Sequence, residues 1–254
     1  MAKIIPFRKI TRSSIKINPN MLSPATETVP CEQASEHTSE PIKNVEDINR
    51  ITEFLIENNR YRDNMMFIVG INFGLRVSDL TGLRFSHLIN EDLTFKTTFP
   101  ILEKKTQNTR NTRKNRYITI NNSVMDAVVL YLNNMPSSLS DYMFKSESHN
   151  GGNKNQPLSR KSVDRILKEI ARDLQLNIKI STHTLRKTFA YHQMLMSNND
   201  PRKLLLLQKI FGHSSVIQTL DYIGITGEEI EEAYKNLNLG KQKYESVVGA
   251  VVAE

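Results

Sequence analysis

From Val45 the chain falls into a helical rhythm. Val45, Ile48, Ile51, Phe54 and Leu55 recur three and four residues apart, which makes one face of a helix over 45–57 apolar. A second helix is predicted from Tyr61 to about Asn72, with Gly74 as its stop. A short third lies near Val77–Leu83. The period then shortens. LTFKTTFPILEKKT and NRYITIN alternate and carry β-branched and aromatic residues, which predicts two strands joined by a long polar turn. Helical spacing returns over 123–133. After a loop with Gly151 and Gly152, Ser159 precedes Val163, Ile166, Leu167 and Ile170, predicting a helix to about Leu174. Ser181 and Thr182 stand where they can cap a helix from His183 to about Met196. Asp200-Pro201 opens the next, an N-cap followed by proline at the first helical position, and that helix ends near Gly212. Short helices are predicted over 216–222 and 227–237. The fold class is mainly α with a small antiparallel β-sheet (α+β).

Ahead of this region the pattern fails. Residues 1–20 hold Lys3, Arg8, Lys9, Arg12 and Lys16 and no acid. Residues 21–41 are rich in Pro, Ser, Thr and Glu, a composition that cannot fill a core. The expected organisation is a basic arm and flexible, disordered linker over 1–41, one helical domain over 42–240, and a tail over 241–254. The tail contains the short apolar run VVGAVVA. No apolar run is long enough for a bilayer, so no membrane role is expected. The N-terminus does not read as a signal peptide. The single cysteine, Cys31, excludes a disulfide framework within the chain and points to a reducing, cytoplasmic setting.

Charge sharpens the picture. The formal net charge is +7, which favours an acidic partner such as nucleic acid. Lys96, Lys104, Lys105, Arg110, Arg113, Lys114 and Arg116 face one acid, Glu103, between residues 96 and 116. Most of these fall in the predicted hairpin, and a basic hairpin can follow a phosphate backbone. Lys104, Arg110, Arg113, Lys114 and Arg116 are therefore candidate DNA contacts. The histidines lack metal-ligand spacing, and neither a P-loop nor a dinucleotide fingerprint occurs, so no cofactor or metal is expected.

Three short stretches hold candidate chemistry. In Gly74-Leu75-Arg76 a helix stop is followed at once by an arginine, with Asp79 one turn on to hold the guanidinium. His183 and Arg186 lie three apart, on one face of a helix. Gly212-His213 is followed nine residues later by Tyr222. An arginine can donate two parallel hydrogen bonds to an anion, and a histidine can move a proton near neutral pH. Each stretch alone also has an ordinary reading as a cap, a surface arginine or a packing residue.

Their order is specific: Arg76, a strand lysine, His183-x-x-Arg186, Gly212-His213, Tyr222. GLRVSDLTGL, HTLRKTFA and LLLLQKIFGHSSVIQTLDYIG resemble the catalytic blocks of the tyrosine recombinase, or phage-integrase, family over about residues 43–235. The resemblance implies that family's catalytic-domain fold. It implies Tyr222 as a nucleophile that leaves a 3′-phosphotyrosyl bond, and Arg76 and Arg186 on the non-bridging oxygens. His183 takes the position credited with proton transfer from the tyrosine, and His213 hydrogen-bonds the phosphate. A hairpin lysine protonates the leaving 5′ oxygen. Lys105 fits because Lys105-Thr106 precedes the polar turn, and Lys104 is the neighbouring alternative. The implied function is site-specific DNA recombination by integration, excision or resolution, encoded by a virus or mobile element. Implied partners are double-stranded DNA, further copies of the chain as dimer to tetramer, and an accessory DNA-binding protein. The tail over 241–254 would either pack on a neighbouring protomer, as in many members of that family, or fold on its own domain. Most relatives carry a helical DNA-binding domain ahead of the catalytic one. Here only about 41 residues precede the match. That keeps two alternatives open: a DNA-binding regulatory or accessory protein of the same fold, and a DNA-relaxing enzyme of the type IB kind.

Overall fold

A computed structural model describes residues 39–101, 116–146, 155–198, 200–223 and 235–236. Among these the order is α1 (Val45–Glu57), α2 (Tyr61–Phe73), α3 (Val77–Leu80), α4 (Phe85–Leu88), β1 (Thr98–Ile101), β2 (Arg116–Thr119), α5 (Asn122–Asn134), α6 (Arg160–Asp173), α7 (Thr184–Leu195), α8 (Pro201–Phe211) and α9 (Val216–Ile223). The fold class is as expected, mainly α with one antiparallel hairpin. Among the described residues, no helix is long and apolar enough to cross a membrane.

α2 is the axis. Met65, Met66, Phe67, Val69 and Phe73 are all buried, as are Asp63 and Asn64, so the helix is enclosed nearly all round. Around it lie Ile51 and Leu55 of α1 and Val124, Val128 and Tyr131 of α5, and the same apolar cluster runs on to Val163, Ile166, Leu167 and Ile170 of α6. The hairpin adds Phe99 and Ile118, which pair across the strands, and Phe99 packs on Phe73 with ring centroids 5.6 Å apart. α2 also packs very close to α7. A Cβ on Gly70 would lie 2.6 Å from Leu185 Cδ1, so the glycine permits that approach. The segment before α1 is strapped along α7. The buried Ile42 donates its N–H to Thr188 Oγ1 at 2.9 Å, and its carbonyl accepts from His192 Nε2 at 2.9 Å.

A second, smaller cluster joins α7 to α8. It consists of Ala190, Met194, Leu207 and Phe211, with Tyr222 and Ile223 of α9 laid against it.

The sequence misleads in three details. α3 stops at Leu80 rather than Leu83, and a separate turn of helix, α4, follows it. α4 is pinned by the Arg84 N–H donating to His87 Nδ1 at 2.9 Å. α7 begins at Thr184 with His183 in the cap position and no side-chain cap; instead Thr184 Oγ1 accepts from the Ser181 N–H at 3.0 Å and Ser181 Oγ from the His183 N–H at 3.2 Å. Val45, counted with the apolar face, is 56% exposed at the first position of α1. The expected helix over 227–237 lies outside the described residues apart from 235–236, as do the arm and linker over 1–38 and the tail.

Candidate active site

The site begins where α2 ends. Gly74 adopts the left-handed conformation, with φ 58° and ψ 32°. A Cβ there would lie 2.5 Å from Phe189 Cδ1, so both the backbone and the neighbouring ring require glycine. The turn puts Arg76 at the cap of α3, where its Nη2 donates to the Phe211 carbonyl at 3.1 Å. Asp79 is buried one turn on, and its N–H donates to the Arg76 carbonyl at 2.9 Å.

Arg186 comes from the first turn of α7 and is only 2% exposed. A buried guanidinium needs acceptors, because it keeps its charge. It finds them on backbone: Nη1 donates to Gly74 O at 2.9 Å and Nη2 to Phe211 O at 3.0 Å. The two arginines thus meet on one oxygen. That oxygen belongs to the last residue of α8, among the carbonyls that a helix end leaves without intrahelical donors and at the negative end of its dipole.

α8 stops because Gly212 turns left-handed at φ 62°, and its N–H returns to the Gln208 and Lys209 carbonyls. His213 follows directly. Its Nδ1 meets the Oγ1 of the fully buried Thr219 at 3.0 Å, which orients the ring from α9. Tyr222, one turn beyond Thr219, brings its hydroxyl to His183 Nδ1 at 3.1 Å. The tyrosine ring lies among aromatic neighbours, with centroids 4.8 Å from His213, 5.7 Å from Phe211 and 6.1 Å from His183. Lys187 Nζ lies 5.9 Å from the ring centre.

The electrostatics set the proton's direction. Loss of water around His183, then the positive charges of Arg160, Lys187, Arg186 and Arg76, hold its pKa below the ordinary 6.5. At neutral pH the imidazole is therefore uncharged, and Nδ1 can accept from the Tyr222 hydroxyl. The arrangement offers a nucleophile, a base in contact with it, and two guanidiniums beside them. Among the described residues, no group of three His, Cys, Asp or Glu is placed to hold a metal.

Five of the residues singled out in the sequence, Arg76, His183, Arg186, His213 and Tyr222, converge here. Arg116 starts β2 and donates Nη2 to the Phe73 carbonyl at 3.0 Å, so that arm braces the end of α2 beside the Arg76 turn. Lys104, Lys105, Arg110, Arg113 and Lys114 lie outside the described residues. Sequence reasoning passed over Phe211, Thr219, Gly70 and Arg160. A glycine inside a strongly apolar helix was a usable signal for Gly70, since it weakens the helix without some packing reason. Nothing local marks the other three.

The comparisons point one way. A model described as the phage integrase family matches residues 43–229. The probable integrase/recombinase YoeC of Bacillus subtilis is 35% identical over 199 residues, covering 78% of this chain and 97% of YoeC. The tyrosine recombinase XerA of Pyrococcus furiosus is 31% identical over 194 residues, covering 76% of this chain but 60% of XerA. Among solved structures, the XerA recombinase crystal structure is similar with a TM-score of 0.54 at 21% identity, covering 78% of this chain and 65% of that one. XerH bound to palindromic difH in a post-cleavage complex gives 0.53 at 18% identity, covering 78% and 53%. At such identities the structural likeness establishes the fold.

Proposed function

This chain belongs to the phage integrase family, and on that footing we propose that it is a site-specific DNA recombinase using Tyr222 as nucleophile. The observation that carries the reading is the 3.1 Å contact between the Tyr222 hydroxyl and His183 Nδ1, beside two guanidiniums gathered on one oxygen.

Tyrosine is a poor nucleophile while protonated, and a phosphodiester repels an approaching anion. The site answers both problems. Tyr222 Oη attacks phosphorus as its proton passes to His183 Nδ1. Arg76 and Arg186 turn their N–H groups to the non-bridging oxygens, whose charge grows in the transition state. His213, braced by Thr219, adds a donor. The bond to the 5′ oxygen breaks, and that oxygen takes a proton from the hairpin lysine, Lys105 in our assignment. The 3′-phosphotyrosyl bond replaces one phosphoester with another, so a 5′-hydroxyl can reverse the step and rejoin the strand without an external energy source.

The catalytic domain spans 42–240, and duplex DNA is the substrate, contacted by the basic hairpin. Copies of the chain assemble on DNA as dimer to tetramer, with residues 241–254 packing on a neighbour. The geometry of Tyr222, His183, Arg76 and Arg186 supports the chemistry, and family membership supports the assembly. The test uses a pool of nicked duplexes with randomised cores, incubated with the wild type and with Tyr222→Phe. A denaturant-resistant protein–DNA adduct is expected with the wild type alone, while Tyr222→Phe still binds. An adduct that persists in the variant removes Tyr222 from the role. Tight binding without any adduct favours an accessory DNA-binding protein.

A further inference from the structure

We propose that Phe211 is a positioning residue of this site, fixing the two guanidiniums through its carbonyl and the arginine and tyrosine through its ring. The proposal rests on the reading of Arg76 and Arg186 as phosphate ligands.

Phe211 is completely buried and is the last residue of α8. The glycine cap that follows is closed by N–H groups returning to Gln208 and Lys209, and the His213 N–H also returns to Gln208. None of these consumes the Phe211 carbonyl, which accepts from Arg76 at 3.1 Å and Arg186 at 3.0 Å instead. Two cations repel one another. An oxygen at the negative end of a helix offsets that repulsion and sets their separation to that of two donors on one atom. This is the spacing from which both can turn to the oxygens of a single phosphate.

The ring does the complementary task. Arg186 Cζ lies 4.1 Å from its centre, a close cation–π contact that fixes the guanidinium plane. The same ring packs against Tyr222 at 5.7 Å and His213 at 5.2 Å, and Phe189 backs it at 6.0 Å. A phenyl group cannot exchange protons, so its contribution is placement. Through one residue, the arginines on the α2 side and the nucleophile on α9 share a reference point.

The test compares full-length wild type and Phe211→Leu on a nicked duplex with either an ordinary scissile phosphate or a neutral methylphosphonate. Phe211→Leu keeps an apolar side chain but loses the ring face. With the phosphate, adduct formation should fall about 100-fold while DNA affinity stays within about threefold. With the methylphosphonate, which carries no charge to be matched, the loss should shrink to about fivefold. An equal loss on both linkages, or no loss, overturns the proposal. A second arm needs no cleavage: NMR of chains labelled with 15N-arginine, in Phe211→Leu and in the more adaptable Phe211→Met. The variants keep the Arg186 bonds to the Gly74 and Phe211 carbonyls and lose the ring face, so the guanidinium should rotate slowly in the wild type and at least several-fold faster in the variants. An unchanged rotation rate in either folded variant also overturns the proposal. If the wild type forms no adduct while the variants still loosen the guanidinium, the cleavage reading falls and the positioning role stands.

Discussion

The two sides of the active site are built on unequal foundations. Arg76 and Arg186 hang from the junction of α2 and α7, where α2 packs on α1 and α5 in one large apolar cluster that extends to α6 and the hairpin. Tyr222 rides on α9, whose support is the small cluster of Ala190, Met194, Leu207 and Phe211, and the tyrosine ring is itself part of that packing. A helix docked on so little buried surface opens locally at lower cost than one in the main core. The arginine side is therefore a frame rooted in the main core that meets the small cluster at the Phe211 carbonyl, while the Tyr222 side has only the small cluster and is the one able to move. That division suits the proposed reaction, in which a tyrosine must reach a bound phosphate, stay attached, and later be displaced.

The largest effect should come from breaking the arginine frame. Arg186→Ala removes the donors to Gly74 O and Phe211 O and empties a buried volume. Stranded carbonyls cost about 1–3 kcal/mol each, although Phe211 O keeps Arg76. We expect about 3 kcal/mol of lost stability in denaturant titrations. Adduct formation by the protein that remains folded should drop by about 100- to 1,000-fold. A variant that unfolds like the wild type would mean that Arg186 is not a joint of the frame.

The movable side should break differently. Leu207 is fully buried in the small cluster. Leu207→Ala should cost about 2–5 kcal/mol in the region that depends on it. Amide hydrogen exchange would locate the loss. Protection should fall across α8 and α9 while α2 and α5 keep theirs. A uniform loss along the chain would show that the two clusters unfold as one, and the contrast drawn here would disappear.

This contrast also explains what the sequence could disclose. The helices of the frame announce themselves because the three-and-four spacing of Ile51 and Leu55, or Val163, Ile166 and Ile170, is a local signature of one buried face. The five convergent residues could be found because their order and context are specific, even though each stretch is ordinary alone. What escaped is what only tertiary contact creates. Phe211 reads as one more apolar residue after a run of leucines, and its use lies in a backbone carbonyl and in neighbours that include Arg186, 25 residues back. Arg160 reads as the first residue of a helix, yet its charge is felt at His183. α4 is too short to show a period at all.

The smallest effect tests how the frame tunes the nucleophile's base. Desolvation and four cations hold the His183 pKa below 6.5, and Arg160 is the foremost of the four. Arg160 is exposed at the start of α6, so its removal should leave the fold intact. In an NMR titration of the free protein, His183 should reach its midpoint below 6.5, and Arg160→Ala should move that midpoint up. The sign follows from charge: deleting a neighbouring cation makes the imidazolium less unfavourable. Protonation closes Nδ1 to the Tyr222 proton, so adduct formation should decline as pH falls through the midpoint, and should begin to decline at a higher pH in Arg160→Ala. A His183 midpoint above 6.5 would show that the charges of the frame do not set the base, and one below 6.5 but indifferent to Arg160 would show that loss of water alone lowers it.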